Sequence, residues 1–349
     1  MLGTRFILSL CIVPLLPSCP SRCDDDDRAC LTDQQLDNPV RNMPFWQEAF
    51  ARPPEDRIAI APPVLTEYIS LANKKNGYPQ RPIPAIPDVA FLQDVREAYS
   101  EIPSNVRNLL GQKLAGIYLI HNLGGSAYTD YIYDPDGNPV AAFIVLDAKV
   151  LGDKTANEWA SWKEETPFQT DDRVRIETTI ADAHSNNRKS TIQFLLLHEI
   201  GHVVSISAHV HPRWDLEVPE IKDAQKYEFF ASSWIVGAKD FSSLFDKSYF
   251  PERSNVVYYF GAKLPKSEAV NIYSHLEKTN FPTLYATTNA FDDWGDSFGT
   301  YVHSVVMKKP FKITITKDGK IEKVFELCWG TPRCAAKERI IRGILQNAS

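Results

Sequence analysis

Two histidines and a glutamate stand in the order His198-Glu199-Ile200-Gly201-His202. On a helix, residues four apart lie one turn above each other, so both imidazoles can reach one cation while Glu199 projects beside them toward a water on that cation. Water on a divalent metal loses a proton near neutral pH, and a nearby carboxylate can take that proton and pass it on. The chemistry implied is hydrolysis of a peptide bond by a Zn2+-activated water, with Glu199 as general base. The flanks strengthen this reading. Phe194-Leu195-Leu196-Leu197 precede the pair and Val203-Val204 follow it, so the helix is apolar nearly all round and must be buried. Two histidines and a glutamate without a partner are costly to bury, and a bound cation removes that cost. No cysteine lies near them, which leaves the metal to nitrogen and oxygen ligands.

A working zinc site takes three protein ligands and keeps a fourth position for water, so a third ligand must come from further along the chain. Three places offer one. His209 and His211 follow the motif closely. Glu228 is a lone acid in Tyr227-Glu228-Phe229-Phe230-Ala231-Ser232-Ser233-Trp234 and needs a cation. The third is Phe291-Asp292-Asp293-Trp294-Gly295-Asp296-Ser297-Phe298, followed by Tyr301-Val302-His303.

The motif helix resembles that of the zincin metallopeptidases, closely over the motif and its flanks and loosely from Tyr131 to Met307. The resemblance implies an α+β fold in which a small, mostly antiparallel sheet packs on the HExxH helix with further helices around it. It also implies a peptide or protein substrate lying along the sheet's edge strand, expected at Val140 to Asp147. Metzincins place a third histidine six residues after the second, which is Ala208 here, so His209 and His211 are out of register. Gluzincins take a glutamate from a second helix, which makes Glu228 a metal candidate. The Asp292 segment resembles the acid-acid-aromatic-small-acid helix of bacterial zinc-binding metallopeptidases. There the first acid binds zinc and the one four residues on orients a histidine. Asp292 and Asp296 hold those places, with Gly295 where alanine is usual. Asp292 fits best and Glu228 next, with Asp293 able to substitute if the helix is rotated. Tyr301, His303 and His211 are the candidate donors to the developing oxyanion, Tyr301 and His303 foremost. Two other classes use the same residues: a zinc-stabilised envelope binding or assembly lipoprotein without turnover, in which Glu199 has no task, and a zinc hydrolase of cell-wall or other non-protein amides.

The elements that must position these residues are legible in outline. Asp88 to Leu110 has helical spacing. Gly116 to His121 and Val140 to Asp147 read as strands, with Tyr131-Ile132-Tyr133 and the turn Asp134-Pro135-Asp136-Gly137-Asn138 forming a hairpin between them. Asn157 to Asn187 reads as a polar loop pinned by two tryptophans. Ser190 or Thr191 caps the motif helix, which runs through Ile206. Ala224 to Val236 and Phe291 to Met307 read as helices, and Phe311 to Ile315 with Ile321 to Phe325 as a second hairpin. Residues 88–349 are thus expected to form one catalytic domain. Residues 44–87 hold nine prolines, which exclude long helices, and read as an ordered wrap over that domain rather than a propeptide.

The chain has 349 residues and a formal charge of −6, with 38 Lys+Arg against 44 Asp+Glu, so it carries no basic stripe for a nucleic-acid partner. Residues 1–19 read as a signal peptide: Phe6 to Leu16 is an apolar run too short to span a bilayer. Leu16-Pro17-Ser18-Cys19 resembles the bacterial lipobox, with proline departing from the pattern, so membrane attachment through a lipidated Cys19 competes with ordinary cleavage. Either way the protein is expected to be exported to the bacterial cell envelope, where disulfides persist. Cys23 with Cys30 and Cys328 with Cys334 are short-loop pairings among three possible connectivities. Residues 20–43, with Asp24 to Asp27, read as a solvated tether. Oligomeric state has no signature in the sequence.

Overall fold

The computed structural model describes residues 23–347, so the signal peptide, the lipobox and Cys19 lie outside the described residues. Cys23 and Cys30 form one disulfide and Cys328 and Cys334 the other, a pattern that fits an oxidising compartment. The acidic run is not a free tether. Asp27 caps helix α1 (Arg28–Leu36) by accepting from the Cys30 amide, and Asp25 pairs with Lys74 and Arg81.

The proline-rich segment is part of the fold. It holds α2 (Gln47–Phe50), strand β1 (Ile58–Ile60), α3 (Pro63–Lys75) and β2 (Ile83–Pro84). At 13 residues α3 is longer than the proline content suggested. Its prolines stand at the first turn, where an amide donor has no helical acceptor and is not missed.

Next come α4 (Val89–Ser100) and α5 (Ser104–Leu110), one expected helix split at Pro103. The main sheet adds β3 (Leu114–His121), β4 (Ala127–Tyr133) and β5 (Pro139–Asp147). Its order is β1-β3-β5-β4, with β2 also on β3. Both β1 and β5 run parallel to β3, while β2 and β4 pair antiparallel. This sheet is therefore mixed rather than mostly antiparallel. The 134–138 turn folds β5 back between β3 and β4, which makes β4 the edge and β5 a central strand. The unbroken apolar run of β5 is the signature of a strand covered on both faces. Its Ala142, Ile144 and Leu146 meet the helices of the main core, while Ala141, Phe143 and Val145 meet Trp46, Leu65, Tyr68 and Ile69 of the N-terminal segment.

After α6 (Ala148–Gly152), the stretch expected to be a loop forms α7 (Ala156–Glu165) and β6 (Val174–Thr179). Of its tryptophans only Trp159 is buried, donating to Ser126 Oγ at 3.1 Å, while Trp162 is 37% exposed. The motif helix is α8 (Arg188–Ala208), capped by Asn187, which accepts from the Ser190 amide. It is long and apolar enough to cross a bilayer, but its apolar surface is inside the protein, packed on the sheet and on α4.

The expected helix at 224–236 is reduced to α9 (Glu228–Ala231), after which β7 (Trp234–Val236) pairs with β8 (Phe241–Ser243). Next follow α10 (Ala269–Leu276) and α11 (Ala290–Tyr301), the latter continued by a π turn over Val302–Val306. The second hairpin is β9 (Lys312–Lys317) with β10 (Lys320–Glu326), and β6 joins it on the other side of β9. Helix α12 (Ala335–Gln346) closes the chain. The fold is α+β with small sheets.

Candidate metal centre

Helices α8 and α11 cross where both are narrow. A Cβ on Gly201 would stand 3.1 Å from the Cα of Gly295, and one on Gly299 would stand 2.9 Å from the His198 amide nitrogen. Trp294 locks the crossing by donating its indole N–H to the Gly201 carbonyl at 2.6 Å. The approach brings three side chains together. His198 and His202 face each other with Nε2 atoms 3.1 Å apart, and Asp292 Oδ1 lies 3.5 Å from the first and 3.7 Å from the second. A tetrahedral ion with bonds of about 2.1 Å sets its ligand atoms about 3.4 Å apart, so these spacings suit a small divalent cation. Among the described residues no fourth His, Cys, Asp or Glu joins the group.

Two of the three candidate ligands, His198 and Asp292, are held from behind by hydrogen bonds. His198 donates its Nδ1–H to Asp296 Oδ1 at 2.7 Å, which points its Nε2 at the centre, and Thr283 occupies the other Asp296 oxygen. Asp292 turns Oδ1 toward the histidines because Oδ2 accepts from Asn289 Nδ2 at 2.6 Å and from Thr288 Oγ1 at 3.2 Å. The electrostatics agree with the geometry. Burial pushes the His198 imidazole down, but Asp292 and Asp296 beside it prevail and lift it to about 10. Burial likewise raises Asp292, and His198 and His202 overcome it to hold the carboxyl far below the usual range. The carboxylates thus favour positive charge at the ring nitrogens, which a divalent cation supplies.

Gly295, which departs from the expected alanine, is required by this packing. A Cβ there would lie 2.8 Å from His198 Cε1 and 3.0 Å from Nε2 of both histidines. Gly295→Ala is expected to weaken metal binding at least tenfold, as displaced ligands do, when the ion is titrated against a competing chelator. Unchanged affinity would show that the rings can move aside.

Glu199 is buried beside the pair, and Thr129 of β4 donates to its Oε2 at 2.6 Å. With His198 and Asp296 it lines a cavity of about 200 Å³ walled by Trp159, Tyr259 and Tyr285. The Tyr285 ring lies 5.6 Å from that of His198. Burial and then the charge of Asp292 hold that phenol well above its usual value, so it remains a donor. On the far side, Trp214 meets His202 edge-on and stacks on Tyr131 with ring centres 3.5 Å apart.

The other expected residues lie elsewhere. Glu228 starts the single turn of α9 on the surface and pairs with Arg339 of α12, so the lone acid found its cation outside the site. Asp293 is fully buried on the opposite side of α11, bound to Lys337 at 2.5 Å and accepting from Trp234 Nε1 at 2.9 Å. Tyr301 stands edge-on to Trp329. His303 donates from Nε2 to the Pro310 carbonyl, and burial lowers it to about 4. Neither Tyr301 nor His303 lines the cavity. His209 ends α8 in the left-handed conformation. His211 is buried against Phe291, its Nδ1–H given to the Pro212 carbonyl and its Nε2 unpartnered. Thr129, Thr283 and Tyr285 are additions that no spacing rule signals. Compared with known protein families, with curated proteins and with solved structures, the chain matches none.

Proposed function

We propose that this protein is a zinc-dependent peptidase of zincin type, exported to the cell envelope, with His198, His202 and Asp292 as metal ligands. The carrying observation is the triangle of two imidazoles and one carboxylate with Glu199 beside it and, among the described residues, no fourth protein ligand. A purely structural site closes its shell with four ligands and needs no base.

Zinc, when bound, supplies a water acidic near neutral pH and a Lewis-acid contact for the scissile carbonyl. Glu199 accepts the proton of that water and delivers it to the leaving amine, while Thr129 fixes one carboxylate oxygen and so aims the other. Tyr285, rather than Tyr301 or His303, donates its hydroxyl to the developing oxyanion. The edge strand β4, not β5, offers backbone groups to an extended peptide by strand addition. Asp296 keeps the proton of His198 on Nδ1 throughout.

The test is metal analysis of the purified protein with an assay on unstructured fluorogenic peptides. About one zinc per chain, with cleavage lost to a chelator and restored by zinc, is the expected result. Protein that binds no metal, or that cleaves equally well without it, overturns the reading.

A further inference from the structure

Lys163 is a buried cation lining the cavity, and the acids that feel its charge, Asp296 and Glu164, do so without a direct ion pair. Its side chain is 8% exposed, yet among the described residues its ammonium makes no hydrogen bond and no ion pair. It rests on aromatic faces instead, 3.8 Å from the centre of the Tyr285 ring and 5.8 Å from that of Tyr258. The acids nearby are already engaged. Glu164 accepts from the Tyr258 and Tyr273 hydroxyls, and Asp296 from His198 and Thr283. Lysine has three donors, and a buried ammonium left without acceptors is strongly disfavoured. Its donors are therefore available to an acceptor within the cavity, which Lys163 lines together with His198 and Glu199.

One ring, Tyr285, separates the Lys163 ammonium from the metal-facing imidazole. The cavity, about 200 Å³, is smaller than sites that enclose whole drug-sized ligands, so it has room for one side chain or one chain end. The stacked rings of Tyr78 and Phe260, 4.1 Å apart, also line it.

From this juxtaposition we propose that the cavity is a specificity pocket for a carboxylate of the substrate peptide, with Lys163 as its counter-ion. The carboxylate comes from an Asp or Glu side chain or from a free C-terminus. This inference rests on the peptidase reading for its substrate but has a binding test that does not.

The probes are hexapeptides carrying Glu or Gln at one position in turn, each made as a C-terminal amide and as a free acid. Binding to zinc-loaded Glu199→Gln protein is read by calorimetry, and cleavage by the unmodified holoprotein is read as kcat/KM. The expected result is at least a tenfold preference for the carboxylate, in keeping with hydrogen bonds to a charged group, falling to within twofold in Lys163→Met. Preference within the amide series identifies a side chain, and preference confined to free acids identifies the chain end. Equal binding of Glu and Gln peptides, amide and acid alike, overturns the proposal whether or not they are cleaved. Carboxylate-selective binding without any cleavage by the unmodified protein leaves the pocket standing and overturns the peptidase. The Glu/Gln comparison needs no change at Lys163, so it stays decisive if Lys163→Met does not fold.

Discussion

Replacing Glu199 by glutamine is expected to lower kcat for peptide cleavage by about 10² to 10⁴ while leaving the metal content at its original value. Glutamine preserves the shape of the side chain and can still meet the Thr129 hydroxyl, so the helix crossing and the ligand triangle are undisturbed. What it lacks is a site for the proton of the attacking water. The two readouts must be taken together. Loss of activity with loss of metal would assign Glu199 a structural task, and activity retained with metal bound would remove it from the chemistry altogether.

The second large effect falls on stability. Lys337 and Asp293 form an ion pair in which both side chains are wholly inaccessible to solvent. Burial alone raises the Asp293 carboxyl and lowers the Lys337 amine, so each charge depends on the other. Truncating one partner leaves a buried, uncompensated charge, which costs about 3–5 kcal/mol. Lys337→Ala is therefore expected to move the denaturant midpoint down sharply with an unchanged m-value, measured by tryptophan fluorescence. Replacing both partners together, as in Lys337→Met with Asp293→Leu, should recover much of the loss. If the double variant is no more stable than Lys337→Ala, the pair is not what holds α11 against α12.

The same pair shows what could be read from the sequence. His198, Glu199 and His202 were legible because helical periodicity alone brings residues four apart onto one side. Asp292 was legible as one of several acids, because a helical ligand and its orienting partner must also be four apart. Its neighbour Asp293 and the distant Glu228 are equally acidic. Only the positions of Lys337 and Arg339, two residues apart on opposite sides of α12, decide that those two acids are neutralised elsewhere. Tyr285 and Lys163 reach the cavity from segments that carry no motif. In the fold, the hairpins and α8 followed from turn chemistry and apolar runs. The order of strands did not, since β5 lies between β3 and β4 through long-range pairing, and its burial on both faces was the one local hint. The helical pattern of 224–236 failed because Trp234 belongs to a strand, where its indole serves Asp293.

The metal centre draws on parts scattered along the chain: Thr129 on β4, the histidines on α8, Asp292 on α11, and α12 behind them supplying Lys337. A chain synthesised from its N-terminus displays the two histidines well before the residues that complete and brace the site have been made. During synthesis the motif is a bare histidine pair, free to hold whichever soft or abundant ion it meets. Selectivity can begin only when α11 has emerged and brought Asp292 to the pair. If the chain is exported unfolded, as the proposed function has it, the compartment of arrival, and not that of synthesis, sets which metal the candidate site meets.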